Sequence, residues 1–179
     1  MNHFALTIVG RDRPGIVSQV TEILFRQGCN LADSSCSILG GQFAMILILG
    51  HPEFTDQKSF GDAFKPLEDA DLSVALRVLK PGGEIRSHIE GDLCMISVYG
   101  SDKPGIVCRV ATVLGENKVN ITDLNTKLVG TEERPVYVMV IEAALPEGVD
   151  EEDVDNWLAP IRDELQVDIN VRTIPTVEL

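Results

Sequence analysis

The sequence predicts an α+β protein built from two tandem copies of one βαββαβ unit, each an antiparallel sheet with its helices on one face. Three observations carry this. The stretch "RDRPGIV" (11–17) returns as "SDKPGIV" (101–107). With Gly10 set on Gly100, the match continues through Val20 and Val110, Leu24 and Leu114, Asn30 and Asn120, and Asp33 and Asp123. It then resumes beyond a four-residue insertion in "GTEERPVY" (130–137), with Phe43 on Tyr137, Met45 on Met139 and Pro66 on Pro160. A duplicated unit of about 80 residues is too long for a solenoid repeat and suits a small domain.

Periodicity gives the elements in order. "HFALTIVG" (3–10) alternates, with Phe4, Leu6 and Ile8 on one face, as a half-buried strand does. "PGIVSQVTEILFRQG" (14–28) places Ile16, Val20, Ile23 and Leu24 at helical spacing, with Pro14 suited to the first helical turn and Gly28 ending it. Two extended runs, 29–39 and 42–50, flank Gly40-Gly41, a pair suited to a two-residue hairpin. Phe60, Phe64 and Leu67 at i, i+4 and i+7 predict a second helix that Pro66 should end or kink. "LSVALRVL" (72–79) closes the unit as a strand.

The second copy predicts a strand at 92–100, a helix at 104–117, hairpin strands at 118–130 and 135–144, a helix near 151–164 and a strand at 167–174. Its acidic run 146–155 reads as a solvated helix start, since carboxylates favour the positive end of the helix dipole. The expected domains are 1–80 and 92–179, joined by a Gly-rich polar linker, 81–91. The βαββαβ order is the ferredoxin-like arrangement. Its uncovered sheet face and edge strands predict pairing between copies or chains, hence a homodimer.

A net charge of −13 disfavours direct nucleic-acid binding, which rests on clustered Lys and Arg. No apolar run approaches the roughly 20 residues of a membrane span, and the N-terminus has no basic region before an apolar core. The reading is a cytoplasmic protein. Cys29, Cys36, Cys94 and Cys108 lack C-x-x-C spacing and read as reduced thiols. His3, His51 and His88 are scattered and suggest no metal site. No cofactor and no catalytic grouping is expected.

The repeated turn leads from a strand end into a helix start. Gly15 lets a backbone approach another molecule, and the free N–H groups of Gly15 and Ile16 can hold a carboxylate, as can those of Gly105 and Ile106. Asp12 and Asp102 can cap the helix or pair with the ammonium of an amino acid. Asn30 and Asn120 follow the helix, where an amide can serve a zwitterion as donor and acceptor or can accommodate a turn after Gly28.

The order D-[RK]-P-G-I-V, a helix, N-[LI]-x-D and an aliphatic hairpin resembles the ACT domain, a small-molecule-sensing module of amino-acid metabolism, in both copies. "DRPGIV", "GCNLADS" and "LGGQFAMILIL" resemble the family of glycine cleavage system transcriptional repressors, tandem ACT proteins without a DNA-binding domain. The resemblance implies a regulator that senses a small amino acid, glycine or serine, and acts by binding a transcription activator. It maps the ligand site onto Asp12, Arg13, Gly15, Ile16 and Asn30, and onto Asp102, Lys103, Gly105, Ile106 and Asn120. Two alternatives are a ligand-free ACT interaction module and a relative of the ACT units of formyltetrahydrofolate deformylase or phosphoserine phosphatase. The catalytic domains of those enzymes have no counterpart in this sequence.

Overall fold

The computed structural model describes residues 1–80, 91–131 and 134–174. The chain divides into two compact units, Met1–Ile85 and Arg86–Leu179. The expected linker, 81–91, lies outside the described residues except for Gly91.

In the first unit the elements are β1 (Asn2–Arg11), α1 (Ile16–Arg26), β2 (Asn30–Leu39), β3 (Gln42–His51), a 3₁₀ turn (Gln57–Phe60), α2 (Lys65–Glu68) and β4 (Leu72–Val78). The sheet order is β2-β3-β1-β4, with every neighbouring pair antiparallel. The second unit repeats it with β5 (Leu93–Gly100), α3 (Ile106–Glu116), β6 (Asn120–Thr131), β7 (Arg134–Ala144), α4 (Glu151–Leu165) and β8 (Asp168–Ile174), in the order β6-β7-β5-β8. Both units are four-stranded ferredoxin-like folds.

Alternation sets the core. Phe4, Leu6 and Ile8 of β1 and Phe43, Met45, Leu47 and Leu49 of β3 are buried under Ile16, Val20 and Leu24 of α1. In the second unit Ile96, Val98, Met139 and Ile141 lie under Ile106, Val110 and Leu114 of α3, at the same four-residue spacing. Gly40 and Gly41 both have positive φ (57° and 76°), which a type I′ hairpin requires and which sets Leu39 opposite Gln42. All ten residues of β2 are exposed, because it is an edge strand outside the helical cover.

The second helical layer differs between the units. The predicted helix around Phe60, Phe64 and Leu67 is broken into the 3₁₀ turn and the single helical turn of α2. Gly61 adopts φ 52°, and Pro66 stands in the first turn of α2 and does not end it. The three apolar residues are still buried, as an aromatic cluster in which Phe60 meets Phe4 edge-on at 5.1 Å and Phe64 at 5.5 Å. Val154, Leu158 and Ile161 are their counterparts on α4, a continuous fifteen-residue helix started by a capping box between Asp150 and Asp153.

His51 is a structural residue at the end of β3. Its Nδ1 accepts from the N–H groups of Glu53 (3.1 Å) and Phe54 (2.9 Å), so Nε2 carries the proton donated to the Gln27 carbonyl at 3.1 Å. Cys29 and Cys94 are free thiols held above their ordinary pKa by burial; Cys94, also beside Glu151, is pushed up to about 11.

Candidate functional site

The two repeated turns are built alike. Gly15 lies at φ 92° and ψ −2°, and Gly105 at φ 95° and ψ −4°. These are the angles of the third residue of a type II turn, where proline favours the position before. Pro14 and Pro104 therefore precede the helix N-caps and do not occupy the first helical turn, contrary to expectation. The first bond of α1 runs from the Gln19 N–H to the Gly15 carbonyl, and that of α3 from Arg109 to Gly105. The N–H groups of Gly15 to Ser18 and of Gly105 to Cys108 precede those bonds and have no helical acceptor.

Asp12 and Asp102 do not cap these helices, since neither start has a side-chain cap. Asp12 is anchored through its backbone, its N–H donating to the Gly41 carbonyl at 2.9 Å, while its side chain is exposed. Asn30 and Asn120 do not supply the turn after the helix either. The left-handed residues there are Gly28 (φ 72°) and Lys118 (φ 59°), which close matching C-terminal motifs with Cys29 N–H to Leu24 O and Val119 N–H to Leu114 O. Both asparagines open their strands with exposed side chains, opposite Gly50 and Ala144.

Gly10 and Gly100 position the turns, a role that alignment of the copies did not reveal. A Cβ on Gly10 would lie 2.6 Å from Leu72 Cδ2 and 2.9 Å from the Asp71 carbonyl oxygen; one on Gly100 would lie 2.7 Å from Val167 Cγ1. Each turn is thus pressed against the junction that leads into the last strand of its unit. In the first unit this contact leaves a cavity of about 380 Å³ lined by Arg11, Asp12, Arg13, Ala70 and Asp71. Cavities of about 390 Å³ beside α2 and about 660 Å³ around Gly91 and Pro146 include no residue of either turn.

Among the described residues no group of three His, Cys, Asp or Glu side chains is placed to hold a metal ion, and His88 lies outside them. No helix among them is long and apolar enough to cross a membrane.

A tandem of ferredoxin-like units, each with this glycine turn, defines the class of the protein: a pair of small α+β modules. Residues 2–73 match the family model of the ACT domain. The match lies within the first unit, and the second unit repeats the same fold. It is 25% identical over 174 residues to the glycine cleavage system transcriptional repressor of Escherichia coli, covering 95% of this chain and 90% of that one. A UPF0237 protein of Bifidobacterium longum is 32% identical over 78 residues, 44% of this chain and 84% of its own length.

Among solved structures, an unknown protein from Galdieria sulphuraria superposes with a TM-score of 0.80 at 26% identity, covering 97% of this chain and 99% of that one. A provisionally assigned glycine cleavage system transcriptional repressor gives a TM-score of 0.71 at 20% identity over 98% of each chain, a likeness of fold. Full-length similarity to a repressor, with the ACT match over the first unit, supports a regulatory role.

Proposed function

We propose that the protein is a cytoplasmic sensor of a small amino acid, glycine or serine, that acts through protein contacts on a transcription regulator. The observation that carries this reading is the paired turn. At each helix start the backbone N–H groups have no side-chain cap, and an exposed Asp stands three residues before the glycine. A zwitterion offers a carboxylate to the N–H groups and an ammonium to the Asp. Asp12, Arg13, Gly15 and Ile16 form one candidate set, and Asp102, Lys103, Gly105 and Ile106 the other; Asn30 and Asn120, opposite Gly50 and Ala144 at the end of each sheet away from the turn, stand outside the set of their own unit. Full-length similarity to a repressor supports the regulatory role, and the charge of −13 supports a protein partner over nucleic acid.

Thermal unfolding against the twenty amino acids tests the sensing function. A ligand at about 100 times its dissociation constant adds roughly 2.7 kcal/mol, a rise of several degrees for a chain of this size. A rise confined to glycine or serine is expected, and no rise with any amino acid at millimolar concentration would sink the reading.

The uncovered edge strands favour a second reading, a ligand-free pairing module. Ile38 and Leu39 on β2 and Leu128 on β6 are 61%, 80% and 60% exposed. Both readings include a homodimer, for which sedimentation equilibrium is the direct measurement. A dimer indifferent to every amino acid would favour the module.

A further inference from the structure

The two turns differ in the residues that bridge them to the rest of their units. In the second unit, Lys103 Nζ donates to the Leu165 carbonyl at 2.7 Å in a partly buried bond. Leu165 ends α4, whose last carbonyls form the negative end of a fifteen-residue helix, so an ammonium is favourable there. Lys103 therefore straps its turn to the junction before β8.

Arg13 holds the same position in the first unit and does not make that bond. Its Nη2 donates to Gln19 Oε1 at 2.8 Å, on its own helix. The junction facing it is Ala70 and Asp71, after the single turn of α2, and no long helix ends there. Asp71 and Gln166 correspond, both being left-handed (φ 61° and 51°) and both preceding the residue packed on the strand glycine. Ala70 thus stands where Leu165 stands. The walls that Lys103 ties together in the second unit are the walls of the cavity in the first.

The carboxylates differ as well. Burial raises the pKa of the Tyr137 hydroxyl, a bond with Thr126 lowers it, and the nearby Asp102 carboxylate raises it further. Asp102 therefore shares its surroundings with a phenol. The first unit has Phe43 at that position, opposite Gly10 as Tyr137 is opposite Gly100, and offers Asp12 no hydroxyl.

We propose that the turns have divided roles: the first takes one small zwitterionic amino acid per chain, and the second is closed by its own Lys103. This rests on the sensing function above. Around the first cavity two guanidinium groups, Arg11 and Arg13, and two carboxylates, Asp12 and Asp71, supply partners for both charges of the ligand. A volume of about 380 Å³ suits a small molecule. The Lys103 ammonium replaces the ligand as the group that joins turn to junction.

Calorimetric titration of the full chain with glycine and with serine should find one site per chain. Asp12→Ala should weaken binding at least about tenfold, and Asp102→Ala should change it less than about twofold. Two sites per chain, or binding lost with Asp102→Ala and kept with Asp12→Ala, would overturn the division of roles while sensing stands. No heat from glycine, serine or the other amino acids would overturn sensing itself, and the ligand half of this proposal with it. Thermal unfolding without ligand reads the strap independently. Lys103→Ala should lower the unfolding temperature by about 5 °C or more, and Arg13→Ala should leave it within about 2 °C. An unshifted Lys103→Ala protein overturns the strap whatever the titration gives.

Discussion

The first unit covers β4 with a 3₁₀ turn, one turn of helix and an aromatic cluster, whereas the second covers β8 with an unbroken α4. The apolar positions are equivalent, Phe60, Phe64 and Leu67 against Val154, Leu158 and Ile161, and all six are buried. The backbone between them is not. Gly61 leaves the helical region at φ 52°, while Asp150 and Asp153 nucleate α4 and Pro160 is tolerated inside it. The difference reaches the turn opposite, because a long helix presents a negative carbonyl end and a single turn does not. Lys103 is drawn to that end in the second unit, and Arg13 stays on its own helix in the first. One sequence motif has thus been placed in two electrostatic settings by the element beside it.

The sharpest way to break this comparison is to remove its aromatic side. Phe60 touches Phe4, Phe54 and Phe64, so Phe60→Ala should cost about 3–5 kcal/mol by chemical denaturation. Its counterpart Val154 is a smaller, aliphatic side chain that loses only two methyl groups on truncation, and Val154→Ala should cost less. Equal losses would mean that the cluster adds nothing to ordinary apolar burial.

The strand glycines give a smaller effect. Gly10→Ala drives a Cβ onto the Asp71 carbonyl oxygen, which belongs to the backbone and cannot rotate away. The closest atom to a Cβ on Gly100 is a methyl of Val167. Both substitutions should destabilise by about 1–3 kcal/mol, Gly10→Ala by the larger amount. The opposite order in urea melts would show that the first junction yields more readily than the second.

The smallest effect is one of pH. Glu151 at the start of α4 accepts from the Thr173 N–H at 2.7 Å and its hydroxyl at 3.0 Å, and these bonds hold its carboxyl below the usual range. A depressed folded-state pKa means that the stability it adds is present above the unfolded value and is lost as pH falls through the folded one. Glu151→Gln should flatten the acid limb of the stability curve slightly. The first unit, which lacks this long helix, should show no such component, and an unchanged acid limb would remove Glu151 from the account.

Much of the fold was legible in the residues. The alternation of Phe4, Leu6 and Ile8, the spacing of Ile16, Val20 and Leu24, and the Gly40-Gly41 hairpin each follow from one local rule, and the duplication doubled the signal. Of the candidate site, the turn and its two glycines were legible, since only glycine readily takes φ near 92°. Capping by Asp12 and a turn role for Asn30 were reasonable local readings that the backbone did not follow. The left-handed angles fell instead to Gly15 and Gly28.

The sequence by itself determined the repeat, the order of elements, the buried faces and the position of the turns, because periodicity and glycine placement act over a few residues. Only the tertiary structure decided what stands across from each turn. Ala70 and Asp71 lie 57 and 58 residues from Arg13, and Leu165 lies 62 from Lys103. The β1–β4 and β5–β8 pairings close those distances. Whether a cation on the turn meets a free helix end or an open cavity depends on how long the facing helix is, and that was set by a glycine at 61 and a capping box at 150.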